Sequence, residues 1–153
     1  MDLNSNNINI KNLNSVYFIG IGGIGVSALA LWCIENKILV YGYDREESQI
    51  TKKIESKGGK IFFDYEKSIN TKSIHLDILN SFNNNCVNIV VYSSAIKISH
   101  PLLKYFQSIN SFCIKRSKFL GLISKNYDVI AVSGTHGKTT ISTMLTHILK
   151  QNS

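Results

Sequence analysis

The sequence predicts an α/β protein built on a Rossmann-like parallel sheet with helices on both faces. Short β-rich runs alternate with helical patterns over residues 1–125, the order that gives βαβ units with right-handed crossovers. The first of these runs leads directly into a glycine-rich turn and a helix, as in folds that bind nucleotides at the carboxyl ends of their strands. Residues 126–153 then begin a second strand, loop and helix, which are too few to form a core alone.

Five strands are predicted in the first part of the chain from runs of β-branched and aromatic residues. They are Val16–Gly20, Ile38–Tyr43, Lys60–Phe63, Asn88–Tyr92 and Phe112–Lys115. The fourth is rich in valine and isoleucine, which is typical of a strand buried on both faces.

The helices predicted between these strands are marked by their end signals. They are Gly25–Asn36, Glu47–Lys57, a helix that starts at Ser99 or His100, and Ser117–Ser124. The pair Gly58-Gly59 ends the second helix as a C-terminal cap, and Pro101 suits the first turn of the third. Ile74–Phe82 is a further candidate helix, followed by an asparagine-rich loop at 83–85.

The second unit is predicted to start after a loop at Ser124–Tyr127, the expected domain boundary. Its strand is Asp128–Val132, its loop Ser133–Lys138 and its helix Thr139–Lys150. We therefore expect domains at 1–125 and 126–153, the second of them incomplete.

Composition narrows the class of protein. The 153 residues are 44% hydrophobic and 18% charged, as in ordinary globular proteins. The net charge is +7, but the lysines are scattered rather than clustered, which disfavours nucleic-acid binding. Three cysteines without metal-ligand spacing suggest reduced, buried thiols, and no signal-peptide pattern is present, so we expect a cytoplasmic location.

One uncharged segment, from Asn12 to Ile34, is long enough to suggest a membrane helix. Four glycines crowd its first half, and each glycine inside a helix costs about 1 kcal/mol relative to alanine. A strand, a tight turn and a buried helix therefore explain the segment better, and no membrane partner is expected.

The turn after the first strand fits the pattern G-x-G-x-x-G, with glycines at positions Gly20, Gly22, Gly23 and Gly25. Asp44 ends the next strand, where the dinucleotide fingerprint places an acidic residue. Glycines allow the backbone to approach a diphosphate, and the helix N-terminus offers free N–H groups to it. Asp44 could accept hydrogen bonds from a ribose hydroxyl. The glycines could instead serve only close packing, and the motif does not specify which diphosphate is bound.

A second candidate phosphate site follows the strand of the second unit. Its residues are Gly134, Thr135, His136, Gly137, Lys138, Thr139 and Thr140. In such a loop the backbone cradles phosphates, Lys138 reaches the terminal phosphates and the Thr139 hydroxyl can bind Mg²⁺. The spacing departs from the common G-x-x-x-x-G-K-[ST] pattern, because Val132 occupies the place of the first glycine. We interpret His136 as a residue that shapes the loop rather than as a catalyst.

Together the two loops resemble the Mur ligases, whose ATP loop reads G-T-x-G-K-T-[ST]. Val16–Ala30 is similar to the first strand, turn and helix of that family. Val91–Ile96 contains its S-S-A-I motif, and Lys115–Ser117 its K-R-S segment. The histidine at position 136 resembles the residue found at that place of the loop in the family members that add L-alanine. The resemblance covers nearly the whole chain, and the motifs occur in the family's order.

The resemblance implies that the first domain binds the UDP part of UDP-N-acetylmuramate. The glycine turn would then hold the diphosphate, Ser93, Ser94 and Arg116 would line the nucleotide-sugar site, and Asp44 would lie at its rim. Taken alone, the two serines could equally bond their own backbone, and Arg116 could be a solvated charge. One departure is Phe63-Asp64-Tyr65, where the family often has a Gly-His pair.

The resemblance also implies ATP-dependent ligation in peptidoglycan biosynthesis. ATP would phosphorylate a carboxylate of UDP-N-acetylmuramate, and the amine of L-alanine would displace the phosphate. Lys138 and Mg²⁺ on Thr139 would neutralise the charge of the moving phosphoryl group. The second unit would be the first strand, P-loop and helix of a truncated ATPase domain, so we expect the chain alone to be inactive.

Two other classes of function stay open at this point. An NAD-binding Rossmann module with a regulatory or redox role would account for the first glycine turn and Asp44, but not for the second loop. A non-catalytic truncated remnant would account for both loops without activity. The oligomeric state is not indicated by the sequence.

Overall fold

The computed structural model describes Ile10 and residues 13–64 and 87–151, and within these it forms five strands and five helices. The strands are β1 (Leu13–Ile19), β2 (Leu39–Tyr43), β3 (Lys60–Phe62), β4 (Val87–Tyr92) and β5 (Phe112–Lys115). The helices are α1 (Ile24–Glu35), α2 (Gln49–Ser56), α3 (Pro101–Ser108), α4 (Arg116–Ser124) and α5 (Lys138–Gln151). The predicted α/β class is confirmed.

The five strands form one parallel sheet in the order β3-β2-β1-β4-β5. Val16 of β1 pairs with Val40 on one side and with Ile89 on the other. The chain therefore builds the sheet outward from β1 in both directions, and the strand order reverses between β1 and β4. In sheets of this kind, loops that leave such a reversal point diverge and open a crevice at the carboxyl ends of the strands.

Helices cover both faces of the sheet and form a core on each. Successive side chains of β1 point to opposite faces and so contribute to the two cores in turn. Val16 and Phe18 pack with α1, α2 and α4 on one face. Tyr17 and Ile19 pack with α3 on the other, where the rings of Tyr17 and Phe106 are 4.7 Å apart. The sheet is buried on both sides, as the apolar character of β4 predicts.

The two ends of α2 confirm the signals expected for them. Ser48 and Thr51 form a reciprocal capping box at its start. At its end, the N–H of Gly58 donates to the carbonyl of Glu55, and Gly59 N–H donates to Ile54. This is the pattern of a Schellman cap, and Gly58 adopts the positive φ of +100° that it requires.

The strand predicted at Asp128–Val132 is wrong. These residues form no regular element, and the side chains of Val129 and Ile130 are 58% and 65% exposed. A strand is defined by a hydrogen-bonded neighbour, and no described strand pairs with this segment. The candidate helix Ile74–Phe82 and the loop at 83–85 lie outside the described residues.

The chain divides into two compact units, Met1–Ile123 and Ser124–Ser153. In the first, the sheet and four helices enclose both cores. In the second, α5 has no buried residue. None of the helices described is both long and apolar enough to cross a membrane, and the uncharged run at residues 13–34 forms β1, a turn and α1.

Candidate functional site

A cleft of about 780 Å³ opens in the first unit at the carboxyl ends of β1, β2 and β4. It lies where the strand order reverses, which is the position expected of a ligand site in an open parallel sheet. Its wall includes Gly20, Gly22 and Gly23 from the β1–α1 turn, Tyr43 and Asp44 at the end of β2, and Ser93 and His100 from the β4–α3 connection. The topology thus brings together Asp44, Ser93 and three of the four glycines that the sequence singled out.

The backbone N–H groups of the β1–α1 turn are mostly bound within the protein. Those of Gly20 and Ile21 both donate to the carbonyl of Tyr43, at 2.8 and 3.1 Å. Gly22 N–H donates to Asp44 Oδ2 at 2.6 Å, and Gly23 N–H donates to the carbonyl of Gly20 at 3.2 Å. A helix supplies no internal partner to its first N–H groups, so the next amides, at the start of α1, are the ones left for an anion.

Arg116, the first residue of α4, brings a positive charge to the start of α1. A Cβ placed on Gly25 would lie 2.8 Å from Arg116 Nη1, so the guanidinium packs where a side chain would otherwise be. The first turn of α1 contains no acidic residue. A helix N-terminus already carries a partial positive charge, so a guanidinium at this point is unfavourable unless an anion joins the two. The arrangement therefore favours a phosphate group.

The two serines of the S-S-A-I motif have different surroundings. Ser93 N–H donates to the carbonyl of Ile19 at 3.2 Å, which ties β4 to the end of β1. Its hydroxyl accepts from Ala95 N–H at 3.3 Å, so it bonds its own loop while lining the cleft. Ser94 is exposed in the turn that follows and does not line the cleft.

Two aromatic residues on the cleft wall, Tyr43 and His100, were not singled out as ligand contacts by the sequence. Their rings are 5.7 Å apart and tilted by 55°. His100 also occupies the N-cap position of α3, but its side chain makes no cap bond, and its buried Nδ1 has no hydrogen-bond partner. Burial, and then the nearby charge of Arg45, lower the pKa of His100 below its usual value, so the ring stays neutral at physiological pH. For Tyr43, the sequence does offer a signal: it is an aromatic residue that directly precedes Asp44.

The second loop is shaped by its own lysine. Lys138 Nζ donates to the carbonyls of Gly134 and Thr135, at 2.6 and 3.1 Å, and so curls the loop around its ammonium group. Gly134 and Gly137 have φ angles of +150° and +76°, which glycine adopts readily. His136 Nδ1 lies 3.2 Å from the Thr135 hydroxyl.

The start of α5 follows this loop directly. Lys138 is the first residue of α5, and Thr139 and Thr140 follow in its first turn, so N–H groups without helical partners adjoin the loop. Residues 133–140 are all exposed. A glycine loop, a lysine and a helix start are the parts that a terminal phosphate needs.

A metal site made of protein side chains alone is not present in the part of the chain that the structure describes. No group of three or more histidine, cysteine, aspartate or glutamate side chains comes together there. Magnesium bound at a P-loop uses a hydroxyl oxygen and phosphate oxygens together with a carboxylate. The hydroxyl of Thr139, in the first turn of α5, could supply the first of these.

The chain resembles known proteins over most of its length. Residues 15–128 match the Mur ligase family, catalytic domain. A UDP-N-acetylmuramate–L-alanine ligase of Cytophaga hutchinsonii is 37% identical over 145 residues, which cover 95% of this chain and 29% of the relative. The ligase of the same name from Phocaeicola vulgatus is 40% identical and is covered to 30% of its length.

Solved structures show the same likeness. The UDP-N-acetylmuramate-alanine ligase of Thermotoga maritima superposes with a TM-score of 0.69 at 28% identity, over 89% of this chain and 29% of that one. A murein peptide ligase of Psychrobacter arcticus gives 0.67 at 25% identity, over 89% of this chain and 26% of its own. The chain thus spans less than a third of the length of each of these four relatives.

Proposed function

The chain belongs to the Mur ligase family, and from this premise we propose that it carries the nucleotide-sugar site and the ATP loop of a ligase that joins L-alanine to UDP-N-acetylmuramate. The relatives that bear this name are similar in sequence to this chain over most of its length. The proposed setting is the cytoplasmic stage of peptidoglycan synthesis, and the proposed domains are residues 1–125 and 126–153.

The proposed UDP site is the cleft at the carboxyl ends of β1, β2 and β4. The observation that carries the proposal is the guanidinium of Arg116 against the first turn of α1, at Gly25. Two positive groups that face one another need an anion, and a diphosphate supplies one. The residues proposed for the site are Gly20, Gly22, Gly23, Gly25, Asp44, Ser93, Ser94 and Arg116. Gly25, Ser94 and Arg116 are not part of the cleft wall itself.

The proposed ATP site is the loop from Gly134 to Thr140. Lys138 would exchange its two loop carbonyls for phosphate oxygens when a nucleotide enters, because an ammonium group bonds more strongly to an anion than to neutral acceptors. Thr139 would supply one oxygen ligand to Mg²⁺, whose chemistry is to neutralise charge on the phosphates. The described residues contain no group of three or more histidine, cysteine, aspartate or glutamate side chains that could hold the ion without the nucleotide.

In the proposed reaction, a carboxylate of UDP-N-acetylmuramate takes the terminal phosphoryl group of ATP, and ADP leaves. The amine of L-alanine then attacks the acyl carbon, the new C–N bond forms, and inorganic phosphate departs with the former carboxylate oxygen. Lys138 would hold the phosphoryl oxygens in place and offset their negative charge, which is positioning and electrostatic work. The cleft would fix the other substrate by its diphosphate.

We expect neutralisation of Arg116 to weaken nucleotide binding selectively. Arg116→Met keeps an apolar stem but removes the charge, and loss of one charge-assisted hydrogen bond, worth about 1.5–3 kcal/mol, lowers affinity by roughly ten- to a hundredfold. Lys118→Met is the matched control, because Lys118 is an exposed cation in the same helix, whereas the guanidinium of Arg116 is the one that packs against Gly25. Calorimetric titration with UDP measures both.

The proposal fails at this site if the two variants bind UDP with equal affinity. Equal loss would indicate a general effect of net charge, and equal retention would indicate that Arg116 does not contact the diphosphate.

A further inference from the structure

We propose that Asp44 is a positioning residue, whose carboxylate holds the β1–α1 turn in the shape that presents the start of α1 to a diphosphate. The effect on binding rests on the proposed function, since it requires a nucleoside diphosphate in the cleft. The hold on the turn itself does not, because it exists without a ligand. This role differs from the ribose contact that an acidic residue at the end of β2 predicts from sequence.

Both oxygens of the Asp44 carboxylate are engaged by backbone N–H groups. Oδ2 accepts from Gly22 at 2.6 Å, and Oδ1 accepts from Arg45 at 2.7 Å. The backbone of Asp44 is itself fixed, because its N–H donates to the carbonyl of Phe62 at the end of β3, at 3.1 Å. The carboxylate is therefore set by the sheet and directed at the turn.

The turn is shaped to receive this carboxylate. A Cβ on Gly22 would lie 2.9 Å from Asp44 Oδ2 and 3.2 Å from the methyl carbon of Thr51. Thr51 is fully buried and held by the capping box with Ser48. The absent side chain of Gly22 is thus space used by Asp44 and by α2, and this close approach makes the short hydrogen bond possible.

Tyr43, the last residue of β2, and Asp44, which follows it, hold consecutive amides of the turn. The carbonyl of Tyr43 takes the N–H groups of Gly20 and Ile21, and the side chain of Asp44 takes the N–H of Gly22. Without the carboxylate, a partly buried N–H would lose its partner, which favours a rearranged turn. Because α1 begins at Ile24, two residues later, its first amides would move with the turn.

Electrostatics separates this role from direct ligand contact. A carboxylate near a diphosphate repels it, so its charge by itself weakens binding. Asp44→Asn removes the charge but keeps one oxygen acceptor, which can serve the partly buried Gly22 N–H while the exposed Arg45 N–H turns to water. Asp44→Ala removes charge and acceptor together. The two variants therefore have opposite consequences if Asp44 positions the turn.

The hold on the turn is tested first without ligand, by the amide proton spectrum and hydrogen exchange of Gly22. The wild-type protein should show a strongly deshielded Gly22 amide proton that exchanges slowly, and Asp44→Asn should largely keep both features. Asp44→Ala should lose both while the amides of β4 stay protected. If the Gly22 amide is the same in the alanine variant as in the wild type, the carboxylate does not hold the turn and the inference is overturned.

The consequence for binding is tested by calorimetry with UDP and with 2′,3′-dideoxyuridine 5′-diphosphate, which lacks the ribose hydroxyls. Asp44→Ala should weaken both nucleotides by the same factor, about tenfold. Asp44→Asn should bind both at least as tightly as the wild type. Glu55→Ala, which removes an exposed carboxylate on α2, should change neither by more than a small factor.

A different pattern assigns the carboxylate to the ribose. If both Asp44 variants weaken UDP equally and neither alters binding of the dideoxy nucleotide, Asp44 contacts the hydroxyls and the positioning role is wrong. If the wild-type protein binds neither nucleotide, the proposed function fails, and the hold of Asp44 on the turn is judged by the spectra alone.

Discussion

Among single residues, the glycines of the β1–α1 turn and of the start of α1 meet three different needs. Gly20 has a φ of +81°, which favours glycine for conformational reasons. Gly22 leaves space for Asp44 and Thr51, and Gly25 leaves space for Arg116. The G-x-G-x-x-G pattern predicts where these glycines lie but not what fills their space, because Asp44 and Arg116 come from distant parts of the chain.

Substitution at two neighbouring glycines should separate these needs. Gly22→Ala places a methyl group within 2.9 Å of the Asp44 carboxylate, so the turn must shift, at a cost of about 1–3 kcal/mol. Gly23→Ala meets only the Gly20 carbonyl, at 3.4 Å, and its φ of −64° suits alanine. Thermal unfolding should therefore show a clear loss of stability at position 22 and little change at position 23.

Equal destabilisation by both alanines would contradict this account of the turn. It would mean that the loop needs glycine for its backbone freedom throughout, rather than for the approach of Asp44.

Among the elements, the sequence predicts every strand of the sheet but places some ends incorrectly. The bounds of β5, Phe112–Lys115, agree with those predicted. The strand β1 begins at Leu13 rather than at Val16, because Leu13 pairs with Val87 and is buried. A prediction based on hydrophobic runs misses this extension, because Asn14 and Ser15 are polar. In the structure Ser15 is nevertheless buried, with only 3% of its surface exposed.

At Asp128–Val132, prediction from hydrophobic runs fails in the opposite way, because it predicts a strand that the structure does not contain. Its apolar composition is that of a buried strand, but strand structure depends on a partner that composition does not reveal. Without a paired neighbour, the backbone has no ladder to join, and the same residues stay irregular and exposed.

Hydrogen exchange should distinguish these segments. Amides at Val129–Val132 should exchange much faster than those of Val16–Ile19 and Ile89–Val91, because only the latter two lie in paired, buried strands. The measurement is made on the monomeric chain by mass spectrometry or NMR. Equal protection of all three segments would show that 128–132 is paired and that the two units fold as one.

For the molecule as a whole, the site is a product of topology. Asp44, Ser93 and the glycine turn are far apart in sequence and meet because three parallel strands end at one edge, next to the reversal of strand order. The residue types at these strand ends were predictable. The inclusion of Tyr43 and His100 in the wall, and the exposed position of Ser94 outside it, depend on loop conformations that no periodicity records.

The central claim is that the first unit binds a UDP-sugar, and a comparison of its binding to two nucleotides tests this most directly. Calorimetric titrations of the purified chain with UDP-N-acetylmuramate and with NAD, at the same protein and salt concentrations, compare the two ligands that a glycine turn followed by an acidic residue permits. The account predicts saturable binding of UDP-N-acetylmuramate and none of NAD over the same range. Saturable binding of NAD, with no heat from UDP-N-acetylmuramate, would contradict it.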